Sequence, residues 1–394
     1  MRIANPYTPF NPHSFTLDSS EAALSSIVKE RFCNSSPFFL YENARSGLLH
    51  ALCVMKELRP NKAFVAVPVY TCAVVINSIF KAGLKPLFLD IDELTLGTSP
   101  QSLCSLPEFM IDNILVVVAQ HTFGLSCQLA SIHSFCTEYD LYLLEDCALV
   151  TPHAQVTQPL GVTGDFSIYS FDTSKPINSA YGGLLFVNNH NLLSSFSDTY
   201  EALPSIAFGT HLYYVAKATI EQLPYQFHIS RIGNLTLDGV LKKILQLIFR
   251  PKDNTSDYLI PPFPAICLPY KPHRLFRQVL ISALHNSNCF YEEKRQLFAS
   301  LCKTKYLHPS FYQSKDPYLV PHRILIRKDC GLSPSIVKFF PESHHWYSLL
   351  QGAVVSNDFS FPRKEDYPNS VTTNVTTTSL TITHFTAPLI KILT

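Results

Sequence analysis

The sequence predicts an α/β protein: a large domain with a mostly parallel sheet covered by helices, followed by a smaller α+β domain. Two observations support this class. Between residues 44 and 190, short apolar runs alternate with longer amphipathic stretches, and this alternation is typical of right-handed βαβ units. Residues 114–119 are apolar throughout, as expected of a strand that is buried on both faces of a parallel sheet.

The elements of the large domain follow from hydrophobic patterns and from residues typical of helix ends. Strands are predicted at residues 64–67, 86–89, 114–119, 141–144 and 166–169. Helices are predicted at residues 45–58, 71–82, 99–103 and 128–139. Gly83 directly follows the second of these helices, and Ser99 can cap the third.

Two stretches of the sequence are apolar enough to be considered as membrane segments. Residues 64–80 form the longest uncharged stretch, but they contain Pro68 and Asn77 and are predicted as a buried strand followed by a helix. Residues 237–249 are predicted as an apolar helix in the core or at a subunit interface, with binding to a membrane surface as the alternative. No membrane span is therefore predicted.

A proline-rich stretch divides the chain. Four prolines between residues 251 and 264 indicate a connection, and we place the domain boundary at its end. Residues 1–264 then form the large domain and residues 265–394 the smaller one. Within the smaller domain, residues 291–301 are predicted as a helix and residues 318–326 as a strand-like run.

Composition limits the classes of function and location. The formal net charge of +1 gives no reason to expect a nucleic-acid partner or a polybasic membrane patch. Eleven cysteines include no Cys-x-x-Cys pair, so no metal site is predicted. The first residues lack the apolar run of a signal peptide, and the number of cysteines is odd, so we expect reduced thiols in the cytoplasm.

Four polar side chains fall just after predicted strands: His121, Asp146, Ser170 and Lys175. Ligands in parallel sheets bind beyond the carboxyl ends of the strands, so one site can contain all four. A lysine amine can form a Schiff base with an aldehyde. A carboxylate can pair with a protonated pyridine nitrogen and keep the ring an electron sink. Together they suit pyridoxal 5′-phosphate (PLP).

Four stretches of the sequence resemble the DegT/StrS sugar aminotransferases, a branch of the PLP-dependent enzymes of fold type I. They are residues 67–72 with 82–86 and 90–92, residues 121–124, residues 145–148, and residues 164–167 with Ser170, Lys175 and Gly182-Gly183. They occur in the family's order and at suitable spacing, and the resemblance covers about residues 40 to 190.

The resemblance implies roles for residues around the cofactor ring. Lys175 is the amine that holds PLP and later moves a proton. Asp146 pairs with the pyridine nitrogen, and Ala148 packs against one face of the ring. His121 lies near the ring in a role that the resemblance leaves open. Cys72 occupies a position where an aromatic residue often stacks on the cofactor.

The resemblance also implies a binding site for the cofactor's phosphate. Ser170 is a phosphate ligand. Ser46 and Gly47 supply backbone amides at the start of a helix, where anions bind well. Leu48 follows them where a threonine is common, which removes a hydroxyl from this site. The family's asparagine loop, which reaches the partner subunit's phosphate, has only Asn234 as a weak counterpart.

The reaction implied is a transamination in two halves. An amino acid, usually glutamate, gives its amino group to the cofactor, and a keto-sugar, usually nucleotide-linked, receives it to form an amino sugar for polysaccharide biosynthesis. The resemblance further implies a homodimer. Departures at Leu48, Cys72, Leu149 and Gln128 leave two alternatives: an enzyme for a non-sugar ketone, and a catalytically silent binding or regulatory homologue.

Overall fold

The computed structural model describes residues 20–226, 231–232, 235–236, 269–312, 316–327, 369, 373 and 377–381. Its strands are β1 (Phe38–Tyr41), β2 (Phe64–Pro68), β3 (Lys85–Leu89), β4 (Ile114–Gln120), β5 (Tyr142–Asp146), β6 (Phe166–Ser170), β7 (Gly183–Val187), β8 (Arg231–Ile232), β9 (Leu235–Thr236), β10 (Arg323–Arg327) and β11 (Thr377–Thr381). Its helices are α1 (Glu21–Phe32), α2 (Ala44–Leu58), α3 (Ala73–Lys81), α4 (Pro100–Cys104), α5 (Glu108–Ile111), α6 (Leu129–Glu138), α7 (Leu193–Glu201), α8 (Phe208–Gln226), α9 (Phe276–Cys289) and α10 (Tyr291–Leu301).

Seven strands form one sheet in the order β1-β7-β6-β5-β4-β2-β3. Strands β2 to β6 run parallel, whereas β7 is antiparallel to both β6 and β1. The mostly parallel sheet predicted from the sequence is therefore confirmed. Strands β4, β5 and β6 are neighbours, so their carboxyl ends meet at one edge of the sheet.

Helices cover both faces of the sheet, and β4 demonstrates why a fully apolar strand is needed there. Val116 and Val118 pack in the cluster that contains α2 and α3. Val117 and Ala119 point to the opposite face and pack with α6. Successive side chains of a strand point to opposite faces, so a strand between two helical layers must be apolar at every position.

The predicted elements of the large domain match the observed ones to within about two residues at each end. The region of residues 64–80 is a buried strand and a helix, as predicted, and no helix in the described part of the chain is long and apolar enough to cross a membrane. The run at residues 318–326 is a strand only from Arg323 onward, so that prediction was too long. The apolar stretch at residues 237–249 and the boundary near residue 264 lie outside the described residues.

Backbone hydrogen bonds join the chain just after α7 to residue 271. Lys271 N–H donates to the carbonyl of Pro204 at 2.8 Å, and Ile206 N–H donates to the carbonyl of Lys271 at 3.0 Å. Helix α8 lies between these two points in the sequence. Tyr270 accepts a hydrogen bond from the backbone of Glu42 at 2.9 Å, at the end of β1.

Candidate active site

A cavity of about 260 Å³ opens at the carboxyl edge of the sheet. Six of the eight residues predicted from the sequence line it: Cys72, His121, Asp146, Ala148, Ser170 and Lys175. A larger cleft of about 560 Å³, beside α1 and α9, contains none of the eight. The chemistry expected from the sequence therefore gathers in one place, as the strand order predicts.

Lys175 lies in the loop that joins β6 to β7. The loop is closed at its base by a hydrogen bond from Phe171 N–H to the carbonyl of Gly182, at 2.9 Å. Lys175 N–H donates to the carbonyl of Asp172 at 3.0 Å, which forms a tight turn before the lysine. From another part of the chain, His322 Nε2 donates to the carbonyl of Ser174 at 2.9 Å. The peptide that carries Lys175 is thus held from two sides.

Asp146 ends β5 and faces the cavity. One carboxylate oxygen accepts the N–H of Ala148 at 3.0 Å. Burial raises the pKa of Asp146 above its usual value, and the Ala148 amide and the charge of Lys175 only partly offset this effect. A desolvated carboxylate of this kind is stabilised by a cation placed against it. A protonated pyridine nitrogen is such a cation.

His121 follows β4 and is fully buried. Its Nε2 lies 2.9 Å from Oε2 of Glu145, and its Nδ1 accepts the N–H of Cys127 at 3.3 Å. Nδ1 can accept this hydrogen bond only when it carries no proton, and burial also opposes a charge on the imidazole. The geometry therefore fits a neutral ring whose Nε2–H donates to Glu145.

Glu145 connects this histidine to the loop before β6. Its Oε1 accepts the N–H groups of Thr163 and Gly164, each at 2.7 Å, and its Oε2 accepts the N–H of Gly161 at 2.8 Å. His121, Glu145 and Cys147 offer atoms within 4.8 Å of one another, a grouping that resembles a metal site. Because both Glu145 oxygens already accept hydrogen bonds, the group acts as a structural network rather than an open set of ligands.

The start of α2 meets the cavity through residues other than the two predicted there. Ser46 and Gly47 do not line the cavity. The amide of Ser46 donates to the side chain of Asn43, the N-cap, at 2.9 Å. A Cβ on Gly47 would lie 2.8 Å from Ile168, so this glycine allows α2 to pack closely on the sheet. The helix start that faces the cavity is formed by Asn43, Ala44, Arg45 and Leu48 instead.

Sequence patterns missed three further residues at the site. Tyr214 and Lys217 of α8 line the cavity, although they lie beyond the part of the chain with recognisable motifs. His322 contacts the Lys175 loop from a position 148 residues away from its partner Ser174. No local spacing links such distant residues to the strand ends, so only the folded chain reveals them.

The departures from the usual family pattern also lie at the cavity. Leu48, Cys72 and Leu149 all line it. Each contributes an apolar or sulfur surface where the family often has a hydroxyl, an aromatic ring or an amide. The cavity therefore has fewer polar contacts for a cofactor on these sides, while Lys175 and Asp146 remain in place.

A mostly parallel sheet with a lysine and an aspartate at its carboxyl edge defines the class: this is the fold of the fold type I PLP-dependent enzymes. Solved structures share it over nearly the whole chain. PseC of Helicobacter pylori, an aminotransferase involved in the biosynthesis of pseudoaminic acid, matches with a TM-score of 0.61 at 13% identity, covering 99% of both chains. The PLP form of the putative sugar aminotransferase Spr1654 of Streptococcus pneumoniae matches with a TM-score of 0.57 at 13% identity, covering 99% of this chain and 93% of that one.

The model of the DegT/DnrJ/EryC1/StrS aminotransferase family matches residues 28–201 of this chain. GDP-perosamine synthase of Vibrio cholerae is 32% identical over 125 residues, which are 32% of this chain and 33% of that protein. The matching segment thus spans about a third of the relative's length. The resemblance predicted from the four motifs is therefore confirmed over these residues.

Proposed function

We propose that this protein is a PLP-dependent aminotransferase that moves an amino group from an amino acid, glutamate being the expected donor, to a keto-sugar. The observation that carries this proposal is the convergence of Lys175, Asp146 and Ser170 on one cavity. A catalytically inactive homologue does not require a lysine, a desolvated carboxylate and a hydroxyl in one cavity at the carboxyl edge of the sheet.

The residues of the cavity fit PLP by their chemistry. When bound, PLP supplies an electron sink that stabilises negative charge on the substrate carbon. Lys175 would hold the cofactor through its amine and then exchange protons with the substrate. Asp146 would pair with the pyridine nitrogen, and Ala148 would contact the ring. Ser170 would bind the phosphate together with the start of α2, whose backbone amides carry a partial positive charge.

The acceptor is proposed from the relatives. GDP-perosamine synthase is named for a nucleotide-linked amino sugar, and PseC is described as an aminotransferase of pseudoaminic acid biosynthesis. A nucleotide-linked keto-sugar is accordingly the acceptor that we propose for this chain, in amino-sugar or polysaccharide biosynthesis. A homodimer in the cytoplasm remains a prediction, which light scattering and cell fractionation test directly.

The visible absorption spectrum of the purified protein tests the cofactor and the reaction together. PLP bound covalently to a lysine absorbs visible light, and addition of L-glutamate is expected to remove this band as the cofactor takes up the amino group. In Lys175→Ala the covalent band is expected to be absent, and turnover is expected to fall by roughly a thousandfold or more because proton transfer is lost. Lys62→Met, which alters a lysine bonded to the Asp112 carbonyl, is the control and retains the band.

A catalytically silent, partner-binding protein is the second candidate. The apolar contacts at Leu48 and Leu149 favour it, because they replace polar contacts to the cofactor. It predicts a colourless protein that stays colourless when PLP is supplied. That result in the unmodified protein would overturn the aminotransferase proposal.

A further inference from the structure

Helix α8 lies beyond the residues that the family model matches. The family match ends at residue 201, and α8 begins at Phe208. The segment that contains it is anchored at both ends by the hydrogen bonds between Lys271 and residues Pro204 and Ile206. Residues 204–206 and 270–271, on either side of α8 in the sequence, therefore meet beside the end of β1, next to the cavity.

Two side-chain hydrogen bonds fasten α8 to the edge of the site. The hydroxyl of Tyr214 donates to Oε1 of Glu42 at 2.7 Å. The hydroxyl of Tyr181 lies 2.7 Å from Nδ1 of His211. Burial and the neighbouring His273 lower the pKa of His211 to about 4, so its imidazole is neutral and Nδ1 can accept a hydrogen bond from the Tyr181 hydroxyl. Because Glu42 follows β1 and Tyr181 precedes β7, the helix is held from two sides of the sheet edge.

Lys217 lies one turn after Tyr214 and therefore points from the same side of the helix. It lines the cavity that also contains Lys175 and Asp146, and its side chain is half-buried. Within the described part of the chain, no hydrogen bond or ion pair engages its ammonium group. An ammonium that is partly removed from water gains free energy when an anion enters beside it.

The start of α2 lies in the lining of the same cavity as Lys217. Asn43, Ala44 and Arg45 line this cavity, and the N-terminus of a helix attracts anions. Glu42, Asp146 and Asp172 also line it, so the cavity contains charges of both signs. Lys175 and the start of α2 are already assigned to PLP, which leaves Lys217 as the lining cation without a role toward the cofactor.

We propose that Lys217 binds an oxyanion of the substrate, either the carboxylate of the amino donor or a phosphate of the nucleotide-linked acceptor. This assignment rests on the proposed function and deepens it, because it gives helix α8 a role in substrate selection. The cofactor's phosphate is left to Ser170 and the start of α2. Lys217 is then a substrate-binding residue outside the residues that the family model matches.

Three variants and two probes test the proposal. Lys217→Met removes the charge at nearly constant length, Lys217→Arg keeps it, and Lys85→Met alters an exposed lysine on β3 as the matched control. Binding of thymidine diphosphate is measured by calorimetry on protein without cofactor. The dependence of the glutamate half-reaction on glutamate concentration is measured on the loaded enzyme. PLP affinity is measured alongside, with pyridoxal as the analogue that lacks the phosphate.

Lys217→Met is expected to lower the affinity for one of the two probes by roughly 10-fold to 100-fold, which corresponds to the loss of a charge-assisted hydrogen bond. In Lys217→Arg and Lys85→Met, the affinity for each probe is expected to stay close to that of the unmodified protein. A loss confined to glutamate identifies the donor carboxylate, and a loss confined to thymidine diphosphate identifies the acceptor phosphate. Unchanged affinity for both probes overturns the proposal, as does a loss seen only for PLP and not for pyridoxal. Failure of the proposed function is separate: it appears as absence of the visible band in the unmodified protein, while the calorimetric result is unaffected.

Discussion

At the scale of single residues, His322 links the C-terminal part of the chain to the lysine loop. Its side chain is fully buried, with 0% exposed. Its backbone N–H donates to the carbonyl of Phe123 at 3.0 Å, and its Nε2 donates to the carbonyl of Ser174 at 2.9 Å. Burial and then the charge of Lys294 lower the pKa of His322 well below its usual value, so the ring is neutral. Its single proton lies on Nε2, because a carbonyl oxygen can only accept.

Replacing His322 by leucine is expected to release the peptide before Lys175. The carbonyl of Ser174 loses its donor, so amide hydrogens of residues 171–182 should exchange roughly 10-fold faster in the protein without cofactor. His322→Gln, whose side-chain amide can still donate, should exchange at nearly the original rate. Hydrogen exchange followed by mass spectrometry measures both. Equal rates in the leucine variant and the unmodified protein would refute a positioning role for His322.

At the scale of an element, the end of β5 organises the edge of the sheet through Glu145. The carboxylate accepts three backbone N–H groups from residues 161–164 and lies 2.9 Å from Nε2 of His121. Burial would raise the pKa of Glu145, but the hydrogen bonds of His121 and the backbone outweigh burial and lower it. One acidic side chain thereby fixes the loop that leads into β6 and so to Ser170 and Lys175.

Glu145→Gln is expected to destabilise the protein by roughly 2–4 kcal/mol, because one oxygen becomes an NH₂ group that faces N–H donors in a buried place. The folded-state pKa of Glu145 is depressed, so its stabilisation is present above the unfolded pKa and is lost as pH falls through the folded pKa. The difference in the free energy of unfolding between the two proteins, measured by urea denaturation, should therefore become smaller as the pH falls. Glu138→Gln alters an exposed glutamate on α6 and serves as the control. A difference that does not vary with pH would contradict this account.

At the scale of the whole molecule, the sequence could predict what is local or periodic. The apolar runs of β2 to β6 and the polar residues after them led to Lys175 and Asp146 because strand ends meet at one edge. The start of α2 was predicted one residue late, and its N-cap Asn43 lines the cavity, whereas Ser46 and Gly47 do not. Lys217 and His322 were missed because their roles depend on long-range packing. Helix α1 was not predicted, although its buried residues Leu24, Val28 and Phe32 recur every four residues, as on one face of a helix.

Two buried cations, Arg31 of α1 and Lys294 of α10, lie near each other, and Lys294 lies near His322. Arg31 of α1 donates to the hydroxyl of Ser287 at 3.0 Å, and both Arg31 and Lys294 are 5% exposed. Burial and the nearby charge of Arg31 lower the pKa of Lys294 to about 8, and Lys294 in turn lowers the pKa of His322. Charges of one sign that are desolvated together destabilise the folded state.

This arrangement predicts that Lys294→Met stabilises the protein. The folded pKa of about 8 lies below the unfolded value of 10.5, so the folded state opposes protonation of this lysine. Below pH 8 the full cost of the buried ammonium is present, about 3 kcal/mol from the difference in pKa, and it disappears as pH rises through 10.5. The free energy of unfolding, measured by urea denaturation, should be higher in Lys294→Met at pH 7 by up to this amount, and the two proteins should converge near pH 10.5. Lys303→Met, an exposed lysine just after α10, should have no effect at either pH. A loss of stability in Lys294→Met at pH 7 would contradict this account. It would mean that an anion compensates the Lys294 ammonium and that the charge stabilises the folded state.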